Sequence, residues 1–443
     1  MAKVVIIGNG ISGITAARHI RKQSDLEIDV ISSETDHFFS RTALMYIYMG
    51  HMKFEHTKPY EDWFWKKNNI NLIRNRINQI NTEDKKLHCE DGKEINYDYL
   101  ILAVGSKSNK FGWPGQELEG VQGLYNFQDL EQMESHSNRI SKAVIVGGGL
   151  IGIEMAEMFL SRKIDVTFLV REENFWDIVL PKEEAQMIDR HILKHHVDLK
   201  LSTELQEIRP DDQGRVGSVV TNKGEFIECQ FVGLTVGVSP NIDFLKDSSI
   251  ETDRGILVDE YLRTNIPNVY ALGDCAQFKN PLPNRRPIEQ VWYTGRMMGE
   301  TVAQTICGKE TVYEPGNWFN SAKFLDLEYQ TYGYVWPRLK KEEETFYWEK
   351  TKENISFRVV FHSKTRHVLG FNVLGMRLRH EICDQWLSQH VKVDYVINNL
   401  QKANFDPEFF KHYEGDIQKA FNNQFPEMKV SVRQKGFLEK ILR

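Results

Sequence analysis

The feature that most restricts what this chain can fold into is an apolar, β-branched run that meets a glycine cluster and then becomes helical, and it occurs twice. Lys3–Ile7 leads into Gly8-Asn9-Gly10-Ile11-Ser12-Gly13, and residues 144–146 lead into Gly147-Gly148-Gly149-Leu150-Ile151-Gly152. Each run is continuously hydrophobic, as a parallel strand covered on both faces must be. Each glycine cluster sits where strand gives way to helix, so residues 4–33 and 143–171 both read as βαβ units. A helix starting there presents unpaired N–H groups and the positive end of its dipole, a setting that favours a pyrophosphate. In the first cluster Gly8 allows the tight turn, Gly10 lets phosphate oxygens approach the backbone, and Gly13 lets helix and strand pack closely.

The residues that follow each cluster refine the reading. Glu34 lies 21 residues after Gly13 at the end of the next strand, where a carboxylate can accept hydrogen bonds from both hydroxyls of an adenosine ribose; its neighbour Ser33 offers one such contact. The plain alternative is a solvated surface glutamate. After the second cluster the same place carries Val170 and Arg171, so the acidic ribose ligand of an NADH site is missing. Arg171 could pair with a 2′-phosphate, while Glu172 and Glu173 oppose one. The balance tips slightly to NADPH over NADH.

Charge and cysteine usage narrow the class. A net charge of -6 supplies no basic field for a phosphate backbone, so no nucleic-acid role is expected. The longest apolar runs fall well short of the roughly 20 residues that cross a bilayer. Five scattered cysteines, none in a CxxC or CxxxxC pair, suit a reducing compartment, and the cytoplasm is the expected location.

Turn-rich junctions at Trp113-Pro114-Gly115 and at Gly237-Val238-Ser239-Pro240-Asn241 divide the chain. The expected organisation is α/β: two Rossmann-like dinucleotide-binding domains, one inserted into the other, plus a C-terminal α+β domain. Residues 1–113 and 238–317 form the outer nucleotide domain, 114–237 the inserted one, and 318–443 the terminal one.

Residues 264–274 read TNIPNVYALGD and, with Ala103-Val104-Gly105, the Gly237 junction and the two glycine clusters, resemble the pyridine nucleotide-disulfide oxidoreductase superfamily over residues 3–333. The resemblance implies FAD held by the outer domain and NADH or NADPH held as co-substrate by the inserted one. It assigns Asp274 to the ribitol and pyrophosphate region of FAD, with Gly273 giving close approach, and brings in Ala103, Gly105 and Gly237 as cofactor-binding positions. Glu154, two residues after Gly152, is the implied catalytic residue: its carboxylate would hold the carboxamide where nicotinamide meets flavin. Val291 and Trp292 are implied beside the isoalloxazine. A C-terminal interface domain completes the pattern.

The branch is read from Phe38-Phe39-Ser40-Arg41-Thr42-Ala43-Leu44. Arg41 stands where cysteine-based oxidases and peroxidases carry their redox thiolate, and an arginine cannot act as that nucleophile. The arginine is similar instead to ferredoxin, rubredoxin and nitrite reductases and apoptosis-inducing factor, where it contacts FAD. Thr42, Ala43 and Tyr46 depart from that group's two prolines and later lysine, and Asn320 replaces an aromatic in Trp318-Phe319-Asn320-Ser321. The expectation is an FAD-dependent NAD(P)H oxidoreductase that passes electrons to an external acceptor, a ferredoxin- or rubredoxin-type iron–sulfur protein. The alternatives are a quinone reductase like type II NADH dehydrogenases and a slow-turnover flavoprotein like apoptosis-inducing factor. A monomer or a homodimer is compatible with the sequence.

Three signals are set aside. His191, His195 and His196 give a histidine pair at helical spacing without a convergent carboxylate or cysteine evident in sequence, so no metal is expected. Arg379-His380 with Cys383 offers two ligands, too few for a zinc site. The basic end of residues 429–443, closing GFLEKILR, could dock on a membrane but reads as a frayed terminus.

Overall fold

A computed structural model describes residues 2–405 and 411–433, so the GFLEKILR ending lies outside the described residues. The chain divides into two compact units: Met1–Gly147 with Met155–Val166 and Leu205–Pro315, and Gly148–Glu154 with Thr167–Glu204 and Gly316–Arg443. Residues 114–237 thus contribute to both.

In the first unit a parallel sheet runs in the order Val269–Ala271, Tyr99–Leu102, Lys3–Ile7, Glu27–Ser32, Ile70–Arg74. Lys3–Ile7 is its central strand, and Val4, Val5 and Ile6 are completely buried. Burial on both faces is why this run shows no polar alternation. Helix Ile11–Gln23 packs against helix Trp292–Ile306, and Gly299 makes the approach possible: a Cβ there would lie 2.6 Å from the Ser12 carbonyl oxygen. Elsewhere in the unit Lys142–Val146 pairs in parallel with Phe231–Leu234, which pairs in parallel with Val121–Gln122. An antiparallel trio, Leu205–Pro210, Val216–Thr221 and Phe226–Glu228, flanks these.

The second unit carries a five-stranded antiparallel sheet in the order Phe319–Phe324, Leu327–Gly333, Val368–Leu374, Ile355–His362, Glu343–Lys350. One face packs on helices His380–Ser388, Val393–Asn398 and Glu414–Gln424 through Phe346, Phe357, Phe371, Trp386 and Phe421. Helix Lys182–Lys194 joins this unit through a buried polar knot. Glu184, fully buried, accepts from Arg358 Nε at 3.1 Å and from Asn372 Nδ2 at 3.1 Å, and Arg358 Nη2 also reaches Glu183 at 2.8 Å. Burial pushes the Glu184 carboxyl up, opposed by the guanidinium beside it. An ion pair of this kind is costly to break, so it ties residues 167–204 to the terminal sheet. The α/β class with parallel strands beside glycine turns, expected from sequence, is the one the chain adopts.

Candidate dinucleotide sites

The first glycine turn is dictated by local sterics. Gly8 has φ +113°, and a Cβ on it would lie 2.1 Å from the Ala103 carbonyl oxygen, so no other residue fits. A Cβ on Gly13 would lie 2.1 Å from the Gly8 oxygen. Gly10 is different: a Cβ there would meet nothing within 4 Å. It caps helix Ile11–Gln23 without a side-chain hydrogen bond, and the first turn carries no acid. No carboxylate in that turn competes for the N–H groups of Ile11 and its neighbours, the donor set a diphosphate requires. The Ser12 hydroxyl is buried, 2.4 Å from where a Cβ on Gly273 would stand, so Gly273 brings the 273–275 turn against this helix.

The charged residues of the unit converge in one chain of contacts. Arg41 donates to both oxygens of Glu34, Nη1 to Oε1 at 2.8 Å and Nη2 to Oε2 at 2.5 Å, and the Phe127 N–H donates to Glu34 Oε1 at 2.9 Å. Arg41 Nη1 also reaches the Tyr125 carbonyl at 2.6 Å, and its guanidinium sits 4.8 Å from the centre of the Tyr125 ring. The Tyr125 hydroxyl donates to Asp274 Oδ2 at 3.0 Å and accepts from the Ser106 N–H at 2.8 Å. Gln290 Nε2 donates to Ser106 Oγ at 2.9 Å. Burial pushes the Asp274 carboxyl above the usual carboxylate range, although Tyr125 and Arg41 both work against this. Burial raises the Tyr125 phenol too, with the Asp274 charge adding to it, so the hydroxyl keeps its proton. Burial opposes the Arg41 charge, but Glu34 outweighs it and the guanidinium is raised above its ordinary value.

Glu34, Arg41 and Asp274 are the residues singled out from sequence, and the contacts join Tyr125 and Ser106 to them. A signal was present in the capping box of Asn126 and Asp129, which starts helix Phe127–Ser137 and places Tyr125 at a helix entry. Gly105, at φ +65°, would bring a Cβ within 2.8 Å of the Tyr125 hydroxyl. Gly237, at φ +89°, accepts through its carbonyl from the Asn109 N–H at 3.1 Å. Val291 caps helix Trp292–Ile306, and the half-buried Trp292 ring stands 5.5 Å from Tyr293.

The second turn repeats the first. Gly147 has φ +115°, and a Cβ on it would lie 2.6 Å from the Thr235 carbonyl oxygen. A Cβ on Gly148 would lie 2.9 Å from Val170 Cγ1, while at Gly149 there is nothing within 4 Å. The Ile153 N–H donates to the Gly149 oxygen at 3.1 Å, as the Ile14 N–H does to Gly10 at 3.0 Å, so Gly149 and Gly10 hold equivalent places. Leu150, Ile151, Gly152 and Glu154 fall in the opening turns of helix Leu150–Ser161. Arg171 is 70% exposed and pairs with its own neighbour, Nη2 to Glu172 Oε1 at 2.8 Å. An exposed pair of this kind is weak, so the guanidinium can be drawn to a stronger anion.

The five cysteines carry no mutual bonds, and four of them are buried. Burial raises Cys275, next to Asp274, to about 12, and Cys229 also to about 12. Cys383 is raised by burial, and His380 packs its ring 4.4 Å from Phe319, so that pair serves packing.

Two strand-to-helix glycine turns, one of them beside the chain of contacts that ends on Asp274, are the pattern of a protein with two dinucleotide sites. Comparison with known proteins makes the assignment specific. The chain belongs to the pyridine nucleotide-disulphide oxidoreductase family, whose profile matches residues 2–299. It is accordingly an FAD-dependent oxidoreductase of NADH or NADPH. It is 30% identical over 339 residues to a ferredoxin–NAD(P)+ reductase from Sphingomonas sp, with 74% of this chain and 80% of that protein covered. It is 29% identical over 281 residues to the nitrite reductase [NAD(P)H] of Bacillus subtilis (strain 168), covering 62% of this chain and 34% of that protein, so it spans about a third of that relative's length. A solved structure of an NAD-dependent persulfide reductase from A. fulgidus superposes with a TM-score of 0.83 at 22% identity, covering 96% of this chain and 83% of that one. Among the described residues no helix is long and apolar enough to cross a membrane.

Proposed function

We propose that this protein takes electrons from NAD(P)H and delivers them singly to a small iron–sulfur carrier of the ferredoxin or rubredoxin type. The observation that carries this reading is the contact of Arg41 with Glu34, at the place where thiol-dependent relatives need a nucleophile. Cys275 is raised to about 12 and sits inside the core, so it supplies no thiolate at neutral pH. With no protein thiol to relay through, electrons leave the cofactor directly.

The residues present fit the cofactors. The N–H groups behind Gly10 and Gly149 would hold the two diphosphates, Glu34 the adenosine ribose, and Asp274 with Arg41 the region between diphosphate and ribitol. Bound FAD supplies hydride acceptance and the split into single electrons. Tyr125 keeps the Asp274 carboxyl oriented through its retained proton. Glu154 is assigned the nicotinamide carboxamide, and Val291 and Trp292 the rim of the flavin. The unpaired cysteines are compatible with a cytoplasmic protein, working as a monomer or homodimer.

Stopped-flow mixing of the yellow holoprotein with NADH and with NADPH under anaerobic conditions, followed by oxidised ferredoxin, rubredoxin or a soluble quinone, tests this. Flavin bleaching by a nicotinamide and fast reoxidation by an iron–sulfur carrier is the expected result. Reoxidation by quinone alone would move the assignment to a quinone reductase, and absence of bleaching with both nicotinamides would remove it.

A further inference from the structure

The histidine pair that sequence alone left without a third ligand acquires one in the fold. His191 lies in the last turn of helix Lys182–Lys194 and His195 caps it, so the i, i+4 spacing puts both rings on one side. Asp326 stands in the turn between strands Phe319–Phe324 and Leu327–Gly333. Its Oδ1 is 2.7 Å from His191 Nε2 and 2.9 Å from His195 Nε2. The three ligand atoms all lie within 4.8 Å of one another.

We propose that His191, His195 and Asp326 form a binding site for a divalent transition-metal ion of the zinc, cobalt or nickel class, with water completing the coordination. Two neutral imidazoles and one carboxylate are the ligand set such ions prefer over magnesium or calcium. Two imidazole nitrogens aimed at one carboxylate oxygen satisfy one another without metal only if both rings carry their proton on Nε2. A cation between them removes that constraint and turns both lone pairs inward.

The surroundings are built for this. Asn354 Nδ2 lies 3.1 Å from His191 Nδ1, and Asn354 Oδ1 accepts from Lys194 Nζ at 3.4 Å; turning that amide over at the expense of the long Lys194 contact would let Oδ1 accept from Nδ1–H and leave Nε2 as the ligand. The site opens to solvent on the Asp326 side, where the carboxylate is 75% exposed and His195 35%, giving an ion a way in. Bringing the three atoms to about 2 Å from a common centre needs only an adjustment of the exposed His195 ring and the Asp326 turn. A bound ion would tie the helix end to the hairpin.

The test uses tag-free holoprotein stripped with a chelator and titrated with Co2+, followed by visible ligand-field bands and calorimetry. One Co2+ per chain is expected, with affinity reduced roughly tenfold or more in both His195→Ala and Asp326→Asn. These positions are at the surface, and an unchanged flavin spectrum verifies that the variants fold. Zn2+ should raise the melting temperature of the parent protein and leave that of Asp326→Asn unmoved. Absence of saturable Co2+ binding by the parent protein, or binding that either substitution leaves intact, would overturn the site.

Discussion

Arg41 closes on Glu34 with two parallel hydrogen bonds while its second contact, to the Tyr125 carbonyl, ties that pair to the residue whose hydroxyl holds Asp274. The two carboxylates assigned to opposite ends of the flavin site are thereby linked through one guanidinium and one phenol. Replacing Arg41 with alanine leaves Glu34 partly buried without its counter-charge and removes a cofactor contact. FAD affinity should fall about 10- to 100-fold, the equivalent of one charge-assisted pair. Arg41→Lys should recover only part of it, because an ammonium cannot make the two-pronged contact. Flavin retained after gel filtration at low protein concentration measures both.

The Arg171 guanidinium decides the nicotinamide preference if its weak bond to Glu172 yields to a 2′-phosphate. Arg171→Ala should then raise KM for NADPH roughly tenfold and leave KM for NADH nearly unchanged. Equal effects on both nicotinamides would assign Arg171 to the surface only.

Thiol chemistry has no place in the proposed cycle. Cys275→Ala should keep kcat with an external acceptor within about twofold of the parent, since its thiol is protonated throughout the working pH range. A loss of an order of magnitude with the flavin content intact would reinstate a redox cysteine.

Asp189 links pH to stability. It accepts from the Phe175 N–H at 2.8 Å in a buried setting, and burial, with Asp177 nearby, raises its carboxyl to about 6. Because the folded-state value lies above that of the unfolded chain, its contribution is fully present below about pH 4 and is lost as pH rises through 6. Asp189→Asn keeps the acceptor oxygen and removes the charge. It should stabilise the protein by up to about 2 kcal/mol at pH 7.5, allowing for solvent screening, and change little at pH 4. Urea unfolding at the two pH values provides the comparison.

The parts of the site that were legible in the sequence are those with local causes. Gly8, Gly13 and Gly147 are demanded by a positive φ or by a carbonyl lying where a side chain would begin, whereas a Cβ on Gly10 or Gly149 would meet nothing within 4 Å, so those two are marked by their place in the motif and by no clash within the protein. Glu34 was singled out as a carboxylate at a strand end and Arg41, seven residues on, from the resemblance around it, but neither reading foresaw their mutual bond. Tyr125 escaped because it belongs to a segment grouped from its turns with the other nucleotide domain, and it meets Asp274 across 149 residues. The inserted segment's helix Lys182–Lys194 likewise owes its place in the second unit to Arg358, 174 residues from Glu184.

By itself, then, the order of residues pointed to two diphosphate-binding corners, because backbone sterics act within one turn of chain, and its resemblance at Arg41 argued against a redox thiol. Only the tertiary structure decided that Tyr125 should support Asp274 and that Asp326 should meet His191 and His195, 135 and 131 residues away. Those partnerships depend on which strands neighbour one another and which helix lies over them, and such choices are made by the packing of the whole core.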